Sequence, residues 1–258
     1  MAYLSRAFAP VLVLALATGG IAQVKAPRSA VAAQAAPAIK VDPNLYQHED
    51  PASVGNDMRM LVSDMAGRAS IELKSQELGV DLGGNKELVS RIVDRVKEME
   101  SRGFTFEAAD ASFELLVREE IAKKRPSFFN VEHWLTSVES DANGSIVTKA
   151  EVTVAANGER LVCTGSGNGP VNAFDTALRS GLAKLYPELS ALELTDYKVR
   201  ILEGRLGTGA ITRVLVETSD KEGAWNTVGV HENVIAASAM ALEDALTYGL
   251  IRQGRKPQ

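Results

Sequence analysis

The sequence predicts an α+β fold, a helical linker subdomain followed by a duplicated βββα domain of antiparallel strands with two helices. Three observations predict it. Apolar residues recur at helical spacing between residues 55 and 125, the period becomes two after Pro126, and the segment near 164–182 returns near 228–246. Laying TGSGNGPVNAFDTALRSGL over VGVHENVIAASAMALEDAL at an offset of 64 pairs Gly165 with Gly229, Ala173 with Ala237, Ala177 with Ala241, Leu178 with Leu242 and Leu182 with Leu246. Upstream, Val152 and Val154 match Val214 and Val216 after a two-residue slip.

The elements follow in order. Arg6 precedes the apolar run APVLVLALATGGIA and small residues follow, the layout of a secretory signal peptide over residues 1–22 and too short for a membrane span. Residues 24–38 are rich in Ala, Pro and Gln without periodicity, so residues 1–38 read as a signal-like, disordered or non-native leader. From Ile39 the texture changes, and residues 39–125 form the linker subdomain. KVDPNLYQHEDPASVGND is crowded with turn-formers and reads as a structured loop. MRMLVSDMAGRASIELKSQELGV suggests one broken or two short helices ending at Gly79. In NKELVSRIVDRVKEMESRG, Leu88, Ile92, Val96 and Met99 make an apolar stripe that Gly103 stops. FEAADASFELLVREEIAKKR puts Ala109, Phe113, Leu116 and Ile121 on one side.

Residues 126–258 carry the duplication. FFNVEHWLTSVES, SIVTKAEVTVAA and ERLVCTG are strands joined by DANG and by Asn157-Gly158, the latter suited to a type I′ hairpin. A helix follows, striped by Val171, Phe174, Leu178, Leu182 and Leu185. LTDYKVRILEG, AITRVLVETS and WNTVGV then lead into a second helix striped by Ile235, Ala239, Leu242 and Leu246, with Trp225 in the core. One helix per three-stranded sheet leaves apolar surface to bury, so a symmetric homodimer is expected.

A formal charge of −5 with dispersed basic residues offers no footprint for nucleic acid, and a soluble composition of 45 % hydrophobic and 24 % charged residues predicts no membrane partner. The single Cys163 excludes an intrachain disulfide and reads as a buried structural thiol. His48, His133 and His231 fall in no metal-ligand spacing, and there is no P-loop, nucleophile elbow or C-x-x-C, so no metal or complete active site is assigned.

GNGPVNAFDTAL is the candidate site. Gly167 and Gly169 permit positive φ or close backbone approach, Pro170 suits a first helical turn, and the free N–H groups of such an end favour an anion; the alternative is an ordinary tight helix entry. Asn168 and Asn172 are candidates to cap the helix or touch a ligand, and Asp196 and Tyr197 begin the next strand. VGVHENV opens the second helix similarly, so the two helix ends are expected to face each other around a pseudo-twofold axis with a small zwitterion or acid between them.

DPNLYQHEDPASVGND, LVSDMAGRASI, FEAADASFELL, GNGPVNAFDTALR, LTDYKVRIL and WNTVGVHENVIAASAMAL together resemble the carboxy-terminal part of the 2-isopropylmalate synthase superfamily, most closely its citramalate synthase branch. The resemblance runs from about Ile39 to about Ile251. It implies an acyltransferase of branched-chain amino-acid biosynthesis that joins acetyl-CoA to a 2-oxo acid in a metal-dependent TIM barrel, followed by linker subdomains and a dimeric, effector-binding regulatory domain. Pyruvate gives citramalate on a route to isoleucine, and 2-oxoisovalerate gives isopropylmalate on the route to leucine. Gly167, Asn168, Gly169, Val171, Asn172, Asp196 and Tyr197 are similar to the effector-pocket segments, and Tyr46 is similar to a linker tyrosine that reaches the neighbouring subunit's active site. The metal-binding barrel has no counterpart in this sequence. The expectation is therefore a carboxy-terminal fragment, inactive alone and without a cofactor of its own, that binds isoleucine or alternatively leucine in the cytoplasm, its leader being a misread or truncated start. A stand-alone amino-acid-binding regulator, served by a barrel on another polypeptide, and an exported binding protein are the rival readings.

Overall fold

A computed structural model describes residues 51–55, 67–202 and 204–257. The leader, Tyr46, and the first half of the 58–80 helical stretch lie outside them. After a 3₁₀ turn at Pro51–Val54 come three helices, α1 (Arg68–Glu77), α2 (Lys86–Ser101) and α3 (Asp110–Ala122). Asn85 caps α2 by accepting from the backbone N–H of Glu87 and Leu88, both at 3.1 Å, and Gly103 takes a φ of 104° just past its end. Leu88, Ile92 and Val96 bury the predicted stripe. Lys74 of α1 is 1 % exposed yet paired, at 3.0 Å from both Glu77 and Asp110, which ties α1 to α3.

On α3 one predicted position fails. Ala109, Phe113 and Leu116 are buried, but Ile121 is 45 % exposed. Five residues beyond Leu116, it has turned some 140° around the helix, away from the packed face.

Then come two copies of one unit. The first has β1 (Phe129–Ser140), β2 (Ile146–Ala156), β3 (Glu159–Gly167) and α4 (Pro170–Leu182); the second has β4 (Glu193–Ile201), β5 (Thr212–Ser219), β6 (Ala224–His231) and α5 (Val234–Arg252). Each sheet is antiparallel in simple order, β1-β2-β3 and β4-β5-β6. Asn157 and Gly158 both take positive φ, 52° and 79°, as a type I′ hairpin between β2 and β3 requires. In each unit the helix packs chiefly on the last two strands, α4 on β2 and β3, α5 on β5 and β6. The two helices also touch each other, so both units share one core that includes Val152, Val154, Phe174, Leu178, Val214, Val216, Leu242 and Leu246.

The residues that match between repeats are the strand–helix contact itself. A Cβ on Gly165 would stand 2.6 Å from the carbonyl oxygen of Ala173 and 3.0 Å from Cα of Ala177. One on Gly229 would collide with the carbonyl oxygen of Ala237 and stand 3.0 Å from N of Ala241. Glycine on the last strand facing two alanines on the helix lets backbone approach backbone, and the paired leucines fill the space behind.

The helical subdomain has its own core, with Phe104, Phe106 and Phe113 packed on Val228 and Val230 from the outer face of the second sheet. α3 is held there by polar bonds as well. Ser112 donates to Asp244 of α5 and accepts from the Val228 N–H, both at 3.0 Å, which occupies an open edge of β6. Val234–Arg252 is apolar and long enough to cross a membrane by composition, with mean hydropathy 1.4, yet 61 % of that window is buried, as in a core helix. Trp225 is buried as predicted and donates from Nε1 to the Ala245 carbonyl at 3.3 Å. Cys163 is only half-buried; its Sγ lies where a side chain on Gly181 would have to go.

Candidate functional site

The first helix end is open and the second is closed. At α5, Asn233 accepts from the N–H groups of Ile235 (2.8 Å) and Ala236 (3.2 Å), and His231 Nδ1 accepts from Asn233 N at 2.8 Å. The repeat offset aligns Asn233 with Gly169, which stands at the same N-cap position of α4 and has no side chain to cap with. Pro170 brings no N–H and Ala173 N bonds the Gly169 carbonyl at 2.9 Å, so the N–H groups of Val171 and Asn172 are left without a capping side chain. Neither Gly167 nor Gly169 uses positive φ. Gly167 serves close approach, since a Cβ there would stand 2.7 Å from Ala173 N, whereas Gly169 is extended (φ −171°) with nothing within 4 Å of its missing Cβ.

That open end borders a cleft of about 500 Å³ lined by Asn168, Gly169, Pro170, Val171, Asn172, Asp175, Leu194 and Tyr197. The size suits a small molecule. Its lining combines the apolar Val171, Leu194 and Tyr197 with the polar Asn168, Asn172 and Asp175. Asn172 does not cap the helix; its Oδ1 turns back to accept from Asn168 N at 3.2 Å. Asp175 is held at 2.8 and 2.9 Å by Arg179 Nε, whose Nη1 in turn donates to the Leu192 carbonyl at 2.8 Å. Tyr197 is fixed from behind. Its hydroxyl lies 2.7 Å from Ser238 Oγ, and because Ser238 gives its own proton to the Val234 carbonyl (2.6 Å), Tyr197 is the donor.

Two sequence expectations change here. The helix ends do not enclose a site together: one is capped by Asn233, and the strand β4 forms the other wall of the cleft. Asp196 leaves the group, because successive strand residues point to opposite faces. It lines a separate cleft of about 220 Å³ with Glu107, Lys198 and Glu217, and its carboxyl is held below the ordinary range first by the Lys198 hydrogen bond and then by the Tyr197 N–H. Sequence reasoning missed Leu194, Asp175 and Ser238; the only available signal was the i,i+4 spacing of Asp175 and Arg179. A larger hollow of about 730 Å³ lies on the outer face of the first sheet among Lys149, Glu151, Thr164 and Ser166, but it holds no helix end and no aromatic wall. Among the described residues no three His, Cys, Asp or Glu side chains converge to hold a metal ion.

Residues 107–250 match the LeuA allosteric (dimerisation) domain. The chain is similar to (R)-citramalate synthases: 63 % identical over 222 residues to that of Streptomyces coelicolor, covering 86 % of this chain and 42 % of the relative. The figures for Geobacter sulfurreducens are 40 % over 213 residues, 83 % of this chain and 40 % of the relative. A 2-isopropylmalate synthase of Aquifex aeolicus is 29 % identical over 210 residues, covering 81 % of this chain and 37 % of the relative. In each case the chain spans about two fifths of the relative's length.

Proposed function

The chain belongs to the LeuA allosteric (dimerisation) domain family, and from that premise we propose that it supplies the dimerising, effector-binding part of a citramalate synthase. The cleft receives an end-product amino acid, isoleucine in the first instance. The observation that carries this is the pairing of an uncapped helix N-terminus with an apolar wall. A carboxylate takes the Val171 and Asn172 N–H groups and the positive end of the α4 dipole, a branched aliphatic side chain lies against Val171, Leu194 and Tyr197, and the ammonium group meets Asp175 and the asparagine carbonyls. The high identity to citramalate synthases supports isoleucine over leucine.

In this reading the condensation of acetyl-CoA with pyruvate, and the divalent metal it uses, belong to a barrel outside the residues described, and Tyr46 assists that barrel in the partner subunit. The chain alone is then inactive, and its place is the cytoplasm, where acetyl-CoA is made and used. Isothermal titration of the whole chain with isoleucine and, separately, leucine tests the reading. Saturable binding with isoleucine preferred is expected. Preference for leucine moves the chain to the 2-isopropylmalate branch, and absence of binding to either by folded protein overturns the effector site.

A further inference from the structure

We infer that Ser238, buried out of reach of any ligand, is a positioning residue of the cleft. By holding the Tyr197 hydroxyl it fixes the aromatic wall against which a bound side chain packs, and so sets affinity and the choice between branched side chains. This rests on the reading of the cleft as an amino-acid site. The repeat offset of 64 puts Ser238 where Phe174 stands in the first unit. Phe174 is 1 % exposed and meets the Trp134 ring edge-on, 6.1 Å between ring centres, so this helix position belongs to an apolar core. Ser238 is equally buried, and a hydroxyl there is costly unless it is hydrogen-bonded.

Both of its bonds are made. Oγ donates to the Val234 carbonyl one turn back at 2.6 Å and accepts from Tyr197 Oη at 2.7 Å. Val234 opens α5 directly after the Asn233 cap, so the acceptor that orients Ser238 is itself held in a capped first turn. The closed helix end thereby serves the open one: α5 anchors the strand that walls the cleft. It lies chiefly on β5 and β6, and the Tyr197 bond extends its hold to β4. A tyrosine has one proton to donate. With that proton on Ser238, Tyr197 offers the cleft an aromatic face and no donor, which leaves a carboxylate to the Val171 and Asn172 N–H groups. The ring is also ordered before a ligand arrives, whereas ordering a free side chain on binding costs about three- to tenfold in affinity. Isoleucine branches at Cβ and leucine at Cγ, so a ring fixed in place separates them by shape and a mobile one does so less.

Isothermal titration of the whole chain with isoleucine and with leucine provides the test, on wild type, Ser238→Ala, Tyr197→Phe and the double variant, with urea unfolding to establish that each is folded. Ser238→Ala is expected to weaken binding of the preferred amino acid about three- to tenfold and of the other less, which narrows the preference. Tyr197→Phe removes the same bond from the strand side and should do likewise. Adding Ser238→Ala to Tyr197→Phe should then change affinity by less than about twofold, because Ser238 acts through the hydroxyl already removed. A general loosening of α5 would instead weaken binding equally in both backgrounds. That result, or a folded Ser238→Ala with wild-type affinity and preference, overturns the role of Ser238 and leaves the site standing. A folded wild type that binds neither amino acid overturns the site and this role with it.

Discussion

Gly169 separates stability from binding at a single residue. It needs neither positive φ nor space for a neighbour, so nothing within the chain forbids a side chain there. Its counterpart in the second repeat is the capping Asn233. Gly169→Asn is therefore expected to leave urea stability unchanged or to raise it by a few tenths of a kcal/mol, while closing the helix end and weakening isoleucine binding by about tenfold or more. Unchanged affinity in titration would show that the open N–H groups do not hold the ligand. Gly229 behaves in the opposite way. Gly229→Ala forces the strand off α5 at Ala237 and should cost about 1–3 kcal/mol in urea unfolding. Gly181→Ala should be similarly destabilising because of Cys163 Sγ, and Cys163→Ala should recover most of that loss. Sequence comparison paired Gly165 with Gly229 correctly. It could not tell a glycine kept for packing from one kept for an open surface, because that depends on what lies across from it.

At the scale of elements, α5 carries charge into the core. Glu243 is pushed up to about 7, by burial first and the neighbouring Asp244 second, against the attraction of Arg125. The folded protein holds this proton more tightly than the unfolded chain, whose glutamate titrates near ~4.3. Its contribution is therefore fully favourable below that pH and is lost as pH rises through about 7. Glu243→Gln should be more stable than wild type by about 3 kcal/mol at pH 8 and nearly equal to it at pH 4, measured by urea unfolding at both. Equal stability at pH 8 would mean that Glu243 is solvated. Periodicity located this helix but not its ionisation, since the burial of Glu243 and the Arg125 charge that acts on it come from the fold around the helix. The same limit explains Ile121, where a spacing of five was read as one face, and Asp196, where adjacent strand residues were grouped although the pleat sends them apart.

For the molecule as a whole, the purified chain given acetyl-CoA, pyruvate and a divalent cation is expected to show no release of free coenzyme A above background; turnover would overturn the proposal that the barrel lies elsewhere. Isoleucine should also raise the apparent melting temperature, because a ligand bound only to the folded state stabilises it by mass action. By itself the sequence determined the α+β class, the duplication, the order of strands and helices and the family, because these follow from periodicity, turn residues and ordered motifs that are local in the chain. The tertiary structure alone decided which helix end stays open, that β4 rather than the second helix end walls the cleft, and that the α3 subdomain packs on the second sheet. Each of these is a contact between segments far apart in sequence, and a repeat that looks symmetric along the chain becomes asymmetric once only one of its sheets has the α3 subdomain packed against it.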